Sequence, residues 1–119
     1  MAKQAAARAK APQADFSPAE LKALSRQATA AAQLLKSLGN EHRLLILCFL
    51  MTRGEMTVGE IQSAIGLSQS ALSQHLARLR DEGLVTFRRT SQTLHYRIAD
   101  PRAARVVHVL KDIYCGTMT

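Results

Sequence analysis

A chain of 119 residues is one small domain with a modest core, and its 16 Lys plus Arg against 9 Asp plus Glu give a formal charge of +7 that favours a polyanionic partner. The densest apolar run, Leu44 to Met51, is too short to span a bilayer, and residues 1–16 lack the contiguous apolar segment of a secretory signal, so a soluble, cytoplasmic protein without a membrane partner is expected. Two cysteines in a reducing compartment argue against a permanent structural disulfide and leave room for a switch.

Residues 1–16 are rich in Ala, Lys and Gln and read as a basic, disordered arm; residues 17–115 read as the folded domain and residues 116–119 as a tail. Ser17, Pro18 and Glu20 form a capping box with Pro at the first helical position, which predicts one long helix running to Gly39. Leu21, Leu24, Ala28, Ala31, Leu35 and Leu38 make a stripe along it that is too long for a small core to cover. Asn40 is the expected cap of a second helix, and its run LLILCFLM predicts burial on most sides. Thr57 and Glu60 repeat the capping box, opening a short helix with Val58, Ile61 and Ile65 inward and Gly66 at its end.

Gly66-Leu67-Ser68 then turns into SQSALSQHLARLRDEG. On a helix, Leu72, Leu76 and Leu79 stack on one side, leaving a polar face suited to a DNA groove. Candidate DNA-binding residues here are Ser68, Gln69, Ser70, Ser73, Gln74 and Arg78, whose short or forked side chains match base edges and phosphates. His75 is rotated toward the apolar edge, where packing and phosphate contact are equally open. Beyond Gly83, Val85 and Phe87 alternate with Thr86 and Arg88, and Leu94, Tyr96 and Ile98 with His95 and Arg97, predicting a half-buried hairpin that carries Arg88 and Arg89 toward DNA. Asp100 and Pro101 open a last helix with Ala104, Val107, Leu110 and Tyr114 on one face. The expectation is a mainly α fold with a β-hairpin wing, a winged helix-turn-helix. A solvated helix and hairpin is the plain alternative, and a basic interaction module that binds an acidic protein is the rival function. The clustering of Arg78, Arg80, Arg88, Arg89, Arg97, Arg102 and Arg105 in this half favours double-stranded DNA. No Gly-rich phosphate loop is present, and His42, His75, His95 and His108 fit no nucleophile–base arrangement, so neither an enzyme nor a cofactor is expected.

LKSLGNEHRLLIL, TVGEIQSAIGLSQSALSQHLARLRDEGLVTFRR and LHYRI together closely resemble the ArsR/SmtB family of bacterial metal- and redox-responsive repressors, over about Leu21 to Cys115. The resemblance implies a homodimer joined through the first and last helices, bound to an imperfect palindrome and released by an inducer. Family wings often turn through Gly, whereas the tip Arg89-Thr90-Ser91-Gln92-Thr93 has none. The metal-binding Cys-x-Cys of many relatives falls on Thr57 and Gly59, neither a ligand. The last helix offers only Asp100, His108 and Asp112, too few for the zinc site of other relatives. Cys48 and Cys115 instead match the positions and local sequences of the BigR/SqrR-type persulfide sensors, which implies a redox-sensing dithiol within each chain and reactive sulfur species as inducer. A direct disulfide needs Cα atoms within about 7 Å, while a bridge of extra sulfurs spans more. Cys48 in an apolar helix is also an ordinary small hydrophobe, and a peroxide- or metal-responsive repressor is the alternative within the family.

Overall fold

A computed structural model describes residues 15–116. Nearly all of the expected N-terminal arm, and the tail beyond Gly116, lie outside the described residues. Helix α1 (Pro18–Arg26) opens as the capping box requires: Ser17 Oγ accepts the Glu20 N–H at 3.1 Å, and Glu20 Oε1 accepts the Ser17 N–H at 3.0 Å. The single long helix to Gly39 is corrected to two, because Gln27 (φ −102°, ψ 7°) leaves helical geometry before α2 (Ala28–Leu38) begins. In the turn before the break, the Ser25 hydroxyl donates to the Leu21 carbonyl at 2.8 Å. Such back-bonding competes with the amide ladder and bends helices. The Gln27 N–H donates to the Leu24 carbonyl, three residues back, at 3.0 Å. The chain divides into two units at Ala31, the second beginning at Ala32.

The second unit holds the core. Asn40 Oδ1 accepts the His42 and Arg43 N–H groups at 3.0 and 3.1 Å and starts α3 (Glu41–Arg53). After β1 (Met56–Thr57), the Thr57–Glu60 capping box starts α4 (Val58–Ile65). Gly66 ends it at φ 80°, a left-handed conformation that glycine adopts without steric cost, and so aims the chain into α5 (Gln69–Asp81). The hairpin β2 (Val85–Thr90) and β3 (Thr93–Ile98) follows, then α6 (Pro101–Cys115), capped by Asp100. The sheet is antiparallel in the order β1-β3-β2, with Tyr96 opposite Met56 on one side and Phe87 on the other. Two residues are too few to show a period, which is why β1 escaped sequence reading.

Ile46, Leu47 and Leu50 of α3 pack with Ile61, Leu72, Leu76, Leu79, Val85, Tyr96, Ala103 and Val107 in one buried cluster. Each such aliphatic side chain contributes roughly 1.5–3 kcal/mol by leaving water. Three expectations need correction. Leu45, inside the apolar run, is 39 % exposed; Ala103 rather than Ala104 is the fully buried small residue of α6; and Tyr114 is 81 % exposed. Leu45 and Ala104 lie off the one inward face of their helices, whereas Tyr114 keeps the face of Val107 and Leu110 and is exposed near the end of α6. No described helix is long and apolar enough to cross a membrane.

The wing tip turns through Ser91, at φ 54° the one non-glycine residue with positive φ among the described residues, paired strands closing on either side at Thr90 and Thr93. A left-handed backbone costs a residue with a Cβ about 1–2 kcal/mol. Ser91→Gly is therefore expected to raise stability by up to about 1 kcal/mol, since glycine's extra unfolded-state entropy offsets part of the relief. Urea denaturation checks it, and a lower midpoint would show that the serine is not strained.

Candidate nucleic-acid interface and thiol cavity

Helices α4 and α5 meet through the Gly66–Ser68 turn, and Ser68 Oγ caps α5 by accepting the Ala71 N–H at 3.2 Å. The same Ser68 oxygen stands 3.5 Å from Ser70 Oγ, a hydroxyl pair in which either can donate. Leu72, Leu76 and Leu79 are buried, as their spacing requires, and this turns Gln69, Ser70, Ser73, Gln74 and Arg78 to solvent. His75 is half-buried with its ring centroid 5.7 Å from that of His42. Burial, then the charges of Arg43 and His42, lowers its pKa, so the imidazole is neutral at pH 7. Of the two roles open to His75, packing is the one its surroundings fit.

A groove of about 560 Å³ runs between α5, the first turn of α4 and the wing tip, with Gln69, Ser73 and Arg80 on one wall and Gln92 and Thr93 on the other. Polar groups of α5 and of the wing tip thus line one groove, while Ser70, Gln74 and Arg78 lie outside its lining. Arg80 lies over the Phe87 ring at 5.5 Å, a cation–π contact that ties the helix to the wing.

The two wing arginines differ. Arg89 is exposed and makes no salt bridge among the described residues. Arg88 forms a forked pair with Glu55, Nη2 to Oε1 at 2.7 Å and Nε to Oε2 at 2.9 Å. The Arg88 hydrogen bonds lower the Glu55 carboxyl pKa, which favours the charged carboxylate that the pair needs. Removing the carboxylate frees a guanidinium for a phosphate. Glu55→Gln is expected to strengthen non-specific DNA binding and to steepen the plot of log K against log salt by about 0.9, the increment for one added phosphate contact. Titrations at several salt concentrations would show an unchanged slope if Arg88 never reaches DNA.

Behind α5 lies a polar network that no sequence motif announced. Glu82, the C-cap of α5, accepts Gln33 Nε2 at 2.8 Å and the buried Ser37 hydroxyl, and Arg78 Nε stands 3.8 Å away. Buried Arg43 donates Nε to the Ser37 carbonyl at 2.9 Å. Burial alone raises the Glu82 pKa, but the bonds from Ser37 and Gln33 and the two arginine charges outweigh it, and the net direction is down. The network ties α5 to the C-terminal half of α2 and the start of α3. Only a polar residue buried by its neighbours reveals itself here, and burial is not a sequence property.

The two cysteines meet at a separate place. A cavity of about 410 Å³ between α3 and α6 is lined by both Cys48 and Cys115, with Leu44, Met51, Val107 and Leu110 as apolar walls. Both are free thiols, Cys48 half-buried and Cys115 exposed. Burial first, and the charge of Cys115 second, pushes the Cys48 thiol up, so it is protonated at neutral pH. Among the described residues no three His, Cys, Asp or Glu side chains gather as a metal ion would need. His108 Nε2 and Asp112 Oδ2 are 3.9 Å apart on the solvent side of α6, a two-residue pair. Thr57 is spent as a helix cap beside Gly59.

Two helices joined by a tight turn, the second with a polar outer face, and an arginine-bearing hairpin beside it define a winged helix-turn-helix DNA-binding protein. The signature of the family described as bacterial regulatory protein, arsR family, matches residues 40–86. Over 98 residues the chain is 43 % identical to the transcriptional activator HlyU of Vibrio cholerae, covering 82 % of this chain and 90 % of HlyU. The biofilm growth-associated repressor of Agrobacterium fabrum is 39 % identical, with 86 % of each chain covered. Among solved structures, the transcriptional repressor BigR from Xylella fastidiosa superposes with a TM-score of 0.75 at 38 % identity, covering 79 % of this chain and 95 % of BigR. Reduced HlyU from Vibrio cholerae superposes at 0.73 with 42 % identity, over 79 % and 98 % of the two chains. The chain belongs to the bacterial ArsR family of transcription regulators.

Proposed function

We propose that this regulator is a cytoplasmic, homodimeric repressor that holds operator DNA while Cys48 and Cys115 are thiols and lets go when reactive sulfur links them. The observation that carries the reading is the shared cavity: two cysteines far apart in sequence line one pocket between α3 and α6. The half-burial of Cys48 favours a controlled reaction over indiscriminate oxidation. The likeness to a structure described as reduced HlyU accords with a redox-responsive branch.

In the dimer, two-fold symmetry sets two α5 helices about one helical turn of DNA apart, in successive major grooves. Gln69, Ser70, Ser73 and Gln74 read base edges, Ser68 and Arg78 approach the backbone, Arg89 and, once parted from Glu55, Arg88 hold phosphates, and His75 braces the helix. Leu21 and Leu24 on α1, Leu35 on α2, and Val109, Ile113 and Tyr114 on α6 are exposed apolar side chains that a second copy would cover. A covalent link between α3 and α6 acts on DNA by favouring a dimer geometry whose α5 helices no longer match the groove spacing. A difference of a few kcal/mol between the two geometries is enough.

The sulfur chemistry balances. A cysteine thiolate attacks the outer sulfur of a hydropersulfide, the S–S bond breaks, and a thiol leaves a protein persulfide behind. The second cysteine then attacks the sulfur of the first, expelling hydrosulfide and closing a disulfide. A second sulfur transfer before closure yields a trisulfide instead. Mass spectrometry of the reduced protein after exposure to glutathione persulfide tests this: the expected product is one intramolecular Cys48–Cys115 link, direct or lengthened by whole sulfur atoms. Two independently modified cysteines, each still open to alkylation after mild reduction of its adduct and never cross-linked, would overturn the dithiol switch.

A further inference from the structure

We propose that the apolar cavity between α3 and α6 is a binding site for small uncharged organic polysulfides, so that the dithiol answers to uncharged sulfur donors ahead of charged ones of equal chemical reactivity. The inference rests on the dithiol reading above and names the class of molecule that reaches it. Its basis is the lining: Leu44, Met51, Val107 and Leu110 face the space that Cys48 shares with Cys115. At about 410 Å³ the cavity is in the range of small-ligand pockets, which are mostly apolar with a few reactive or polar groups. Bringing a carboxylate against these apolar walls costs part of its hydration, whereas a methyl or allyl group gains by leaving water. The same walls keep the Cys48 thiol protonated. Thr52, Lys111 and Tyr114 also line the space, and all three are exposed, so the polar groups border it on its solvent-facing side.

A dialkyl trisulfide shows the step in full. The Cys115 thiolate attacks the central sulfur, one outer S–S bond breaks, and an alkanethiolate departs and is protonated. Cys48, giving up its proton to solvent, attacks that same central sulfur and displaces the second alkanethiolate. The two cysteines end joined through one additional sulfur; they are oxidised, and the trisulfide is reduced to two thiols. No other oxidant is needed.

The test compares dimethyl trisulfide with glutathione trisulfide on the reduced full-length protein. The rate of the Cys48–Cys115 link is followed by mass spectrometry and divided by each reagent's rate with free cysteine. The expected ratio favours dimethyl trisulfide by at least about ten-fold, the discrimination that a desolvated charge imposes. Leu110→Phe, which reduces the space while keeping it apolar, is expected to remove most of that preference and leave DNA binding by the reduced protein intact. If this variant fails to bind DNA, a second measurement decides: in a Cys48→Ser/Cys115→Ser protein, dimethyl trisulfide is expected to raise Tm with concentration and glutathione trisulfide to leave it unchanged. Equal normalised rates for the two reagents would overturn the uncharged-ligand site and leave the dithiol switch standing. Failure of both reagents to link the cysteines would remove the switch and the site with it.

Discussion

Cys48→Ser and Cys115→Ser are each expected to bind operator DNA like the parent protein in reducing buffer and to lose release by persulfide or polysulfide altogether. Neither cysteine belongs to α5, the wing or the groove between them, so the reduced affinity has no reason to change by more than about two-fold. Release needs a bond from α3 to α6, and a single remaining thiol carries sulfur without closing it. A thiol reductant restores binding in the parent protein, and zinc or a chelator changes nothing. Because Cys48 must lose its proton to react and its pKa is raised, closure is expected to quicken as pH rises through and beyond the ordinary thiol range. Electrophoretic mobility shifts alongside mass spectrometry give both readouts. Full release of either single variant by polysulfide would end the two-cysteine account, whereas ready release by peroxide would spare the switch and remove its preference for sulfur.

A comparably large effect is expected at the apolar faces. Leu35 is 61 % exposed on α2 and Ile113 65 % exposed on α6, a heavy apolar outlay for a monomer's surface. Leu35→Asp or Ile113→Asp places an unpaired carboxylate where the second copy is proposed to sit, and a buried lone charge is among the costliest changes an interface can suffer. Sedimentation is expected to show a monomer at micromolar concentration. Affinity for a two-half-site operator is expected to fall by about 100-fold or more, since each half-site must then be bound independently. Both residues are exposed, so the fold of the single chain should persist, with far-UV circular dichroism unchanged. Undiminished operator affinity from a demonstrated monomer would remove the dimer from the DNA-binding account.

Much of this molecule was legible in its residues because the determining interactions are local. Capping boxes at Ser17–Glu20 and Thr57–Glu60, the Asn40 and Asp100 caps and the left-handed Gly66 depend on groups within a few residues of one another. The spacing of Leu72, Leu76 and Leu79 dictates which face of α5 is turned to solvent, and period-two alternation marked the two strands of the hairpin, though not their register. The break at Gln27 was less visible, since a strong helical pattern runs through it and propensity does not mark the bend. What only the tertiary structure decided are the meetings of distant residues: Glu55 across Arg88, Ser37 and Gln33 on Glu82, β1 against β3, and Cys48 with Cys115 around one apolar cavity. Periodicity assigns a side chain to a face, but its partner depends on how whole elements pack. That packing alone turned one of two similar wing arginines into half of an ion pair, and it set the two cysteines, paired beforehand only by the family resemblance, around one cavity.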